Sequence, residues 1–313
     1  MMISIKRLSE CKLLEAVDAW NKGFEGYYFD ATTNVDAFTA RLITEGLKPT
    51  MSVVAFDETL PIGLILSGTR KVGEATISWN GGTGVATAYR KQGVGKKMMQ
   101  EALSIYKEEN VDLAILEAIL ENEKAIALYE QYGYQVVDHL HHLQHAGSLS
   151  DIEWELSNEM YVRPGTITEM ESLSFYQKLA PWQSYWMHGK GLDVWIAENG
   201  STPKPVGYAL TKKRLDDTGK VVGVTVLQCE VEALAVNQTS ILHSLLYRVF
   251  GPVSEQATRM FAFLQDTNQQ VMNFAKAVGF TKAVSQVYMM KPMTSKGEEL
   301  LKEYRNRQYI GQR

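Results

Sequence analysis

Arg90-Lys91-Gln92-Gly93-Val94-Gly95 sets two glycines where an extended run gives way to a helix, with Lys96 and Lys97 following. Residues 77–85 read as a strand, and Val94, Met98, Met99, Ala102, Leu103 and Tyr106 then recur at helical spacing. Gly93 and Gly95 carry no Cβ, so a ligand can approach the backbone closely there. The first helical turn leaves N–H groups without intrahelical partners, and the helix dipole favours negative charge at that end. A pyrophosphate suits such a place, and Arg90, Lys96 and Lys97 add positive charge beside it.

Two better-known phosphate motifs do not fit. A dinucleotide fingerprint needs a third glycine where Met98 stands. A P-loop needs glycine at Arg90 and Ser or Thr at Lys97. Taken alone, the Gly-x-Gly pair also reads as an ordinary helix start.

A second group of residues follows one strand later. Residues 112–119 read as a short buried strand, and residues 122–131 as a helix whose apolar stripe is Ala125, Ile126, Leu128 and Tyr129. Gly133 falls just past its end, where a left-handed cap is expected, and Tyr134, Val136 and Val137 open another strand. The series Asn122, Ala125, Leu128-Tyr129, Gly133-Tyr134, placed one helix and one strand after the Arg-x-x-Gly-x-Gly piece, resembles the cofactor half of a GCN5-related N-acetyltransferase (GNAT).

That resemblance implies an acyltransferase, an N-acetyltransferase that uses acetyl-CoA (coenzyme A). It implies a sheet whose two central parallel strands splay apart, with pantetheine lying in the gap like an added strand. The cofactor-binding residues implied are Val85, Thr87, Arg90, Lys91, Gln92, Gly93, Val94, Gly95, Lys96 and Asn122. The Val85 N–H would polarise the thioester carbonyl, and Tyr129 would protonate the departing thiolate after direct attack by a primary amine. The glutamate that many members carry on the fourth strand is missing from Ile77-Ser78-Trp79-Asn80-Gly81-Gly82-Thr83. Glu117 on the next strand could act through water, and the general base stays unassigned. A non-catalytic acyl-CoA-binding sensor is the alternative from another class.

The elements that must hold these residues form an α/β chain with a mixed sheet. Strands are expected at 3–6, 51–56, 62–67 and 74–85, and helices at 8–22 and from Asn34. The second half repeats the first: Asn122 and Gly133 recur 146 residues on as Asn268 and Gly279, and Gly279-Phe280 echoes Gly133-Tyr134. The expectation is two tandem GNAT-type domains, each a twisted, mostly antiparallel sheet with a central splayed parallel pair and flanking helices. Their bounds are 1–145 for a catalytic domain, 155–293 for a degenerate copy and 294–313 for a helical tail. The same 146-residue offset carries Arg90 to Val236, Gly93 to Thr239, Gly95 to Ile241 and Tyr129 to Ala275. The second copy is therefore expected not to bind the cofactor in the usual way. Covering the acceptor cleft, shaping specificity, assembly (a homodimer included) and plain support of the first domain all remain open for it.

The rest of the sequence excludes more than it assigns. Net charge is −4 with no long basic run, so nucleic-acid binding has no support. Cys11 and Cys229 form no disulfide framework, which fits a reducing cytoplasm, and no stretch approaches membrane-spanning length. The expected acceptor is a small amine or an amino group of a larger molecule. The aromatic and acidic segment 24–30 falls where such an acceptor would lie, and reads equally as a packed lid. Trp182, Tyr185 and Trp186 could line the same cleft, and read more readily as core aromatics. His139, His141, His142 and His145 read as a surface strand rather than a metal site, so no metal is expected.

Overall fold

Residues 2–149, 152–200, 203–251 and 256–310 are described by the structure, a computed structural model. The first repeat runs β1 (Ile3–Arg7), α1 (Leu13–Gly23), α2 (Val35–Thr44), β2 (Val53–Asp57), β3 (Leu60–Val72), β4 (Ala75–Val85), α3 (Val94–Glu108), β5 (Leu113–Ile119), α4 (Glu123–Gln131) and β6 (Gln135–His145). The second runs β7 (Met160–Gly165), α5 (Ile167–Ser172), β8 (Leu192–Asn199), β9 (Lys204–Leu215), β10 (Val221–Val231), α6 (Gln238–Phe250), β11 (Thr258–Gln265), α7 (Gln269–Val278) and β12 (Thr281–Pro292), followed by α8 (Ser295–Ile310). The helix expected over 8–22 begins only at Leu13. Cys11 and Lys12 are extended after a short 3-10 turn, and the Glu15 carboxylate accepts the Lys12 N–H at 2.8 Å to start the helix there.

The chain divides into two compact units that are not sequential segments. Unit 1 is Met1–Val137 with Tyr288–Glu303, and unit 2 is Asp138–Val287 with Tyr304–Arg313. The bounds 1–145, 155–293 and 294–313 therefore do not describe how the chain packs. In unit 1 the strand beside β5 is β12, whose residues from Tyr288 onward belong to that unit. In unit 2 the strand beside β11 is β6, contributing Asp138 onward. Each copy has taken the other's last strand. Nor is the tail a loose appendage: the Met293 N–H donates to the Asp112 carbonyl at 2.8 Å in unit 1, and Leu300, Leu301 and Tyr304 are buried.

Both units build the same frame. In unit 1, β1 to β4 pair antiparallel in order, and β4 pairs parallel with β5 only from Ile77↔Leu113 to Asn80↔Leu116. In unit 2, β7 to β10 pair antiparallel, and β10 pairs parallel with β11 only from Gly223↔Thr258 to Val226↔Phe261. In each, the shared strand continues well past its last parallel pair, so the two parallel strands fork. The cause is visible in the register. Between Leu66↔Gly82 and Ser67↔Asn80 one extra residue, Gly81, is inserted in β4. Leu227 is inserted in β10 between Val226↔Thr211 and Gln228↔Leu210. A bulge bends and twists its strand, and here it carries the strand end away from its parallel neighbour.

Candidate functional site

The fork of unit 1 is shaped by glycines with steric jobs. A Cβ on Gly81 would lie 2.5 Å from the Trp79 ring, so the bulge is where that indole folds over the strand. A Cβ on Gly84 would lie 3.0 Å from Gly23 Cα and 3.0 Å from the Phe24 ring. The end of α1 therefore sits directly on the strand end. Arg41 of α2 fixes the bulge from outside, donating to the Gly81 carbonyl at 2.7 Å while its guanidinium lies 4.4 Å from the Trp20 ring centre.

Strand alternation decides where the Val85 N–H points. Ala86 donates to the Ile62 carbonyl at 2.8 Å, so its neighbour Val85, opposite Gly63, turns its N–H and C=O away from β3 and into the fork. The following residues run through a 3-10 turn at Thr87–Tyr89 to Gly93, the residue that caps α3 at φ 82°. No protein atom lies within 4 Å of a Cβ built on Gly93, and no side chain caps the helix there. Lys91 is also left-handed, at φ 61°. The turn thus presents exposed Thr87, Arg90, Lys91, Gln92, Gly93 and Lys96 beside the uncapped first amides of α3, with Val94 buried beneath. Gly95 serves packing instead. Its Cβ would lie 3.3 Å from Leu128 and 3.9 Å from the Val85 side chain, so the glycine lets α4 close on α3 next to the strand end.

Arg90 faces the protein rather than the amides. Its Nε donates to the Val85 carbonyl at 2.9 Å and its Nη2 to the carbonyls of Gly23 (3.2 Å) and Glu25 (3.3 Å). It ties the end of α1 to the end of β4.

The opposite wall comes from α4. Asn122 caps that helix, accepting the Ala125 N–H at 3.3 Å, and its side chain lies close to the Tyr27 hydroxyl. Tyr129, about two turns further along the helix, is buried, packs against Tyr134 and meets the Thr83 hydroxyl on β4. Burial pushes its phenol up to about 12, so it keeps its proton at neutral pH. On β5, just past the last pair, Glu117 accepts the Trp79 indole N–H at 2.5 Å. The fork therefore gathers Val85, Thr83, Asn122, Tyr129 and Glu117. Thr83, Trp79 and Arg41 escaped the reading of the sequence as site residues, since each is placed by pairing register or by helix packing, whereas Tyr27 lies in the aromatic segment singled out there.

The aromatic segment is partly packed. Phe24 stacks on Trp20 at 4.0 Å, and Tyr27 meets Phe24, Tyr28 and Phe29 edge-on at 5.1 Å each. Around it lies an open depression of about 540 Å³ that also carries Glu25 and Asp30.

The sequence of this unit has known kin. Residues 14–134 match the profile of the Acetyltransferase (GNAT) family. Unit 1 is a GNAT domain. No protein of curated function matches the chain. Among solved structures, a tandem GNAT protein from the clavulanic acid biosynthesis pathway aligns at 12% identity over 93% of this chain and 98% of its own, with a TM-score of 0.57. A GCN5-related N-acetyltransferase from Sphaerobacter thermophilus aligns at 11% identity over 93% and 95%, with a TM-score of 0.59. The glucosamine N-acetyltransferase region of a fungal multi-domain β-N-acetylglucosaminidase aligns at 15% identity and a TM-score of 0.62; this chain covers 38% of that protein and is itself covered to 92%. At such identities the likeness establishes the fold, which is that of two GNAT-type halves.

Unit 2 keeps the frame of unit 1 and shortens the turn that leads into α6. From Val85 to Gly93 the chain takes eight steps, whereas from Val231 to Asn237, the left-handed residue (φ 60°) that caps α6, it takes six. The turn is two residues shorter, so Gly93 corresponds to Asn237 and not to Thr239, and a constant 146-residue offset misplaces Arg90 as well. Asn268 and Ala275 do hold the places of Asn122 and Tyr129, and Ala275 is buried. Asn268 also reaches across the fork to donate to the Cys229 carbonyl at 2.9 Å.

The histidine-rich strand is not a surface strand. His141 is buried between Asp266 and Ser285, each at 2.9 Å, and His142 and His145 lie against Phe263 and Phe280. Among the described residues no cluster fit for a metal ion exists. Trp182 and Tyr185 are buried in unit 2, and the Trp186 indole donates to Glu171 at 2.6 Å. Cys11 and Cys229 are free thiols in different units. Among the described residues no helix is long and apolar enough to cross a membrane.

Proposed function

We propose that the GNAT domain moves an acetyl group from acetyl-CoA to a primary amine, within the fork between β4 and β5. The observation that carries this reading is the pairing of an inward-turned Val85 N–H with a protonated, buried Tyr129 across one gap that ends at an open, left-handed glycine turn. Acetyl-CoA supplies the activated acyl group and a thiol leaving group. The amides of Gly93, Val94, Gly95 and Lys96 would hold its diphosphate, with Lys91, Gln92 and Thr87 at the rim and Asn122 at the opposite wall. Val85 would donate to developing negative charge on the acyl oxygen, an effect commonly worth about 3 kcal/mol. Tyr129 holds a proton where the thiolate departs. Arg90 supports the site by anchoring the end of α1, and Glu117, which accepts the Trp79 indole N–H, could draw a proton from an incoming ammonium through water. Glu25, Asp30 and the rings of 24–29 suit a cationic acceptor.

The test is turnover of acetyl-CoA with a panel of primary amines, read as free thiol, in the intact chain and in Tyr129→Phe. Acetylation that falls in the variant while CoA still binds supports the reading. CoA binding with no turnover for any amine would instead support the acyl-CoA sensor.

A further inference from the structure

The fork of unit 2 is not filled. A cavity of about 310 Å³ lies there, lined among others by Phe175, Glu230, Val231, Gln265, Asn268 and Arg307. Glu230 and Val231 come from β10 beyond its last parallel pair, Gln265 ends β11, and Asn268 caps α7. Glu232 donates to the Val206 carbonyl at 2.8 Å, so Val231 turns its N–H into the fork, as Val85 does in unit 1.

Most polar groups on the wall are spent on one another. Gln265 donates to Tyr304 and accepts from Gln177 at 3.5 Å, and the Gln238 amide donates to the Ala233 carbonyl at 2.6 Å. The charged groups and one strand amide keep capacity. Glu230 accepts from Asn268 at 3.3 Å through one of its two oxygens. Arg307 donates to the carbonyls of Tyr176 (2.6 Å) and Ser174 (3.1 Å), which fixes a guanidinium that has further N–H donors. Val231 offers its amide. A carboxylate, a guanidinium and an amide thus face one small space with a phenyl ring at its wall. Glu230 sits among Arg307, Tyr208 and Cys229, and burial pushes its carboxyl up to about 7. A group so placed gains from a cationic ligand. The shortened turn before α6 and the Asn268 bridge to Cys229 leave no seat for a long diphosphate-bearing molecule.

We propose that this cavity is a second binding site, which takes a compact zwitterion of the α-amino-acid type, its ammonium against Glu230 and its carboxylate against Arg307. The proposal stands independently of acetyl transfer in unit 1.

Calorimetric titration of the intact chain with each protein-forming L-α-amino acid tests it. At least one is expected to bind, its decarboxylated amine and its deaminated acid binding about tenfold or more weaker. Glu230→Gln and Arg307→Gln should each weaken it by about tenfold or more, while the unit 1 changes Glu25→Gln and Asp30→Asn leave it unaltered. Glu230→Gln is nearly isosteric, so a cooperative melt shows that the fold persists, and the comparison then rests on that variant should Arg307→Gln not fold. Absence of binding by every amino acid, full affinity in folded Glu230→Gln, or loss of affinity in the unit 1 variants would each overturn the proposal.

Discussion

Glu230→Gln should stabilise unit 2, most strongly at neutral to alkaline pH. Burial raises the folded carboxyl to about 7 from an ordinary 4.5, although Arg307 and Asn268 act in the opposite direction. Because the folded state holds the proton more tightly, the carboxylate costs nothing below pH 4.5, a growing amount between 4.5 and 7, and a constant amount above 7. The full difference corresponds to about 3 kcal/mol at pH 8. Glu230 lines an open cavity and keeps some contact with water, which makes that figure an upper bound; about 1–3 kcal/mol is expected. The amide of glutamine can still accept from Asn268 and never charges. At pH 5 the gain should shrink below about 1 kcal/mol. Urea unfolding at the two pH values, followed by intrinsic fluorescence, measures this. Trp154, Trp182, Trp186 and Trp195 lie in unit 2, against Trp20 and Trp79 in unit 1, so the signal is weighted toward the right unit. An equal change at both pH values, or a larger gain at pH 5, would refute the reasoning that desolvation of this carboxylate dominates.

Other perturbations test the GNAT domain. Tyr129→Phe should lower turnover by about 10²–10⁴-fold with CoA affinity within a few-fold of wild type, and an unchanged rate would remove Tyr129 from proton donation. Its buried phenol, at about 12, should add no alkaline limb to the rate profile below pH 11, so an ionisation near 10 that vanishes in Tyr129→Phe would contradict the burial argument. Gly93→Val forces a β-branched residue to φ 82° and fills the open space above the turn; calorimetry should show CoA affinity down by about tenfold or more, and equal affinity would contradict the placement of the diphosphate. Gly84→Ala pushes a methyl against Gly23 and Phe24, and should cost about 1–3 kcal/mol in urea unfolding. Arg90→Ala frees the carbonyls of Gly23 and Glu25, and faster amide exchange across 24–29 with little change in CoA affinity would mark it as a support rather than a phosphate ligand.

The local chemistry of this chain was legible because it is carried by short stretches. A left-handed turn needs glycine, a helix start needs a cap, and an amphipathic stripe repeats every three or four residues, so Gly93, Asn122, Gly133 and the helices around them stand out along a one-dimensional string. The tandem repeat was legible for the same reason, since the spacing of Asn122 and Gly133 is repeated intact at Asn268 and Gly279. A fixed offset failed at the turn before α6 because that turn is shorter by two residues, and the chain regains them before Asn268. The histidines of β6 misled because a polar strand looks solvent-facing until its partner strand is known.

Sequence alone determined the fold class, the doubled architecture, the glycine turn before α3 and the place of Tyr129 on the helix after β5. Tertiary structure decided which last strand each copy uses, which way the Val85 N–H turns, what Arg90 holds, and that a carboxylate and a guanidinium face one cavity in unit 2. The division has one physical cause. Propensity and capping act over a few residues and leave a mark in order along the chain, whereas pairing register, bulge direction and desolvation depend on atoms that folding brings together from distant parts of the chain.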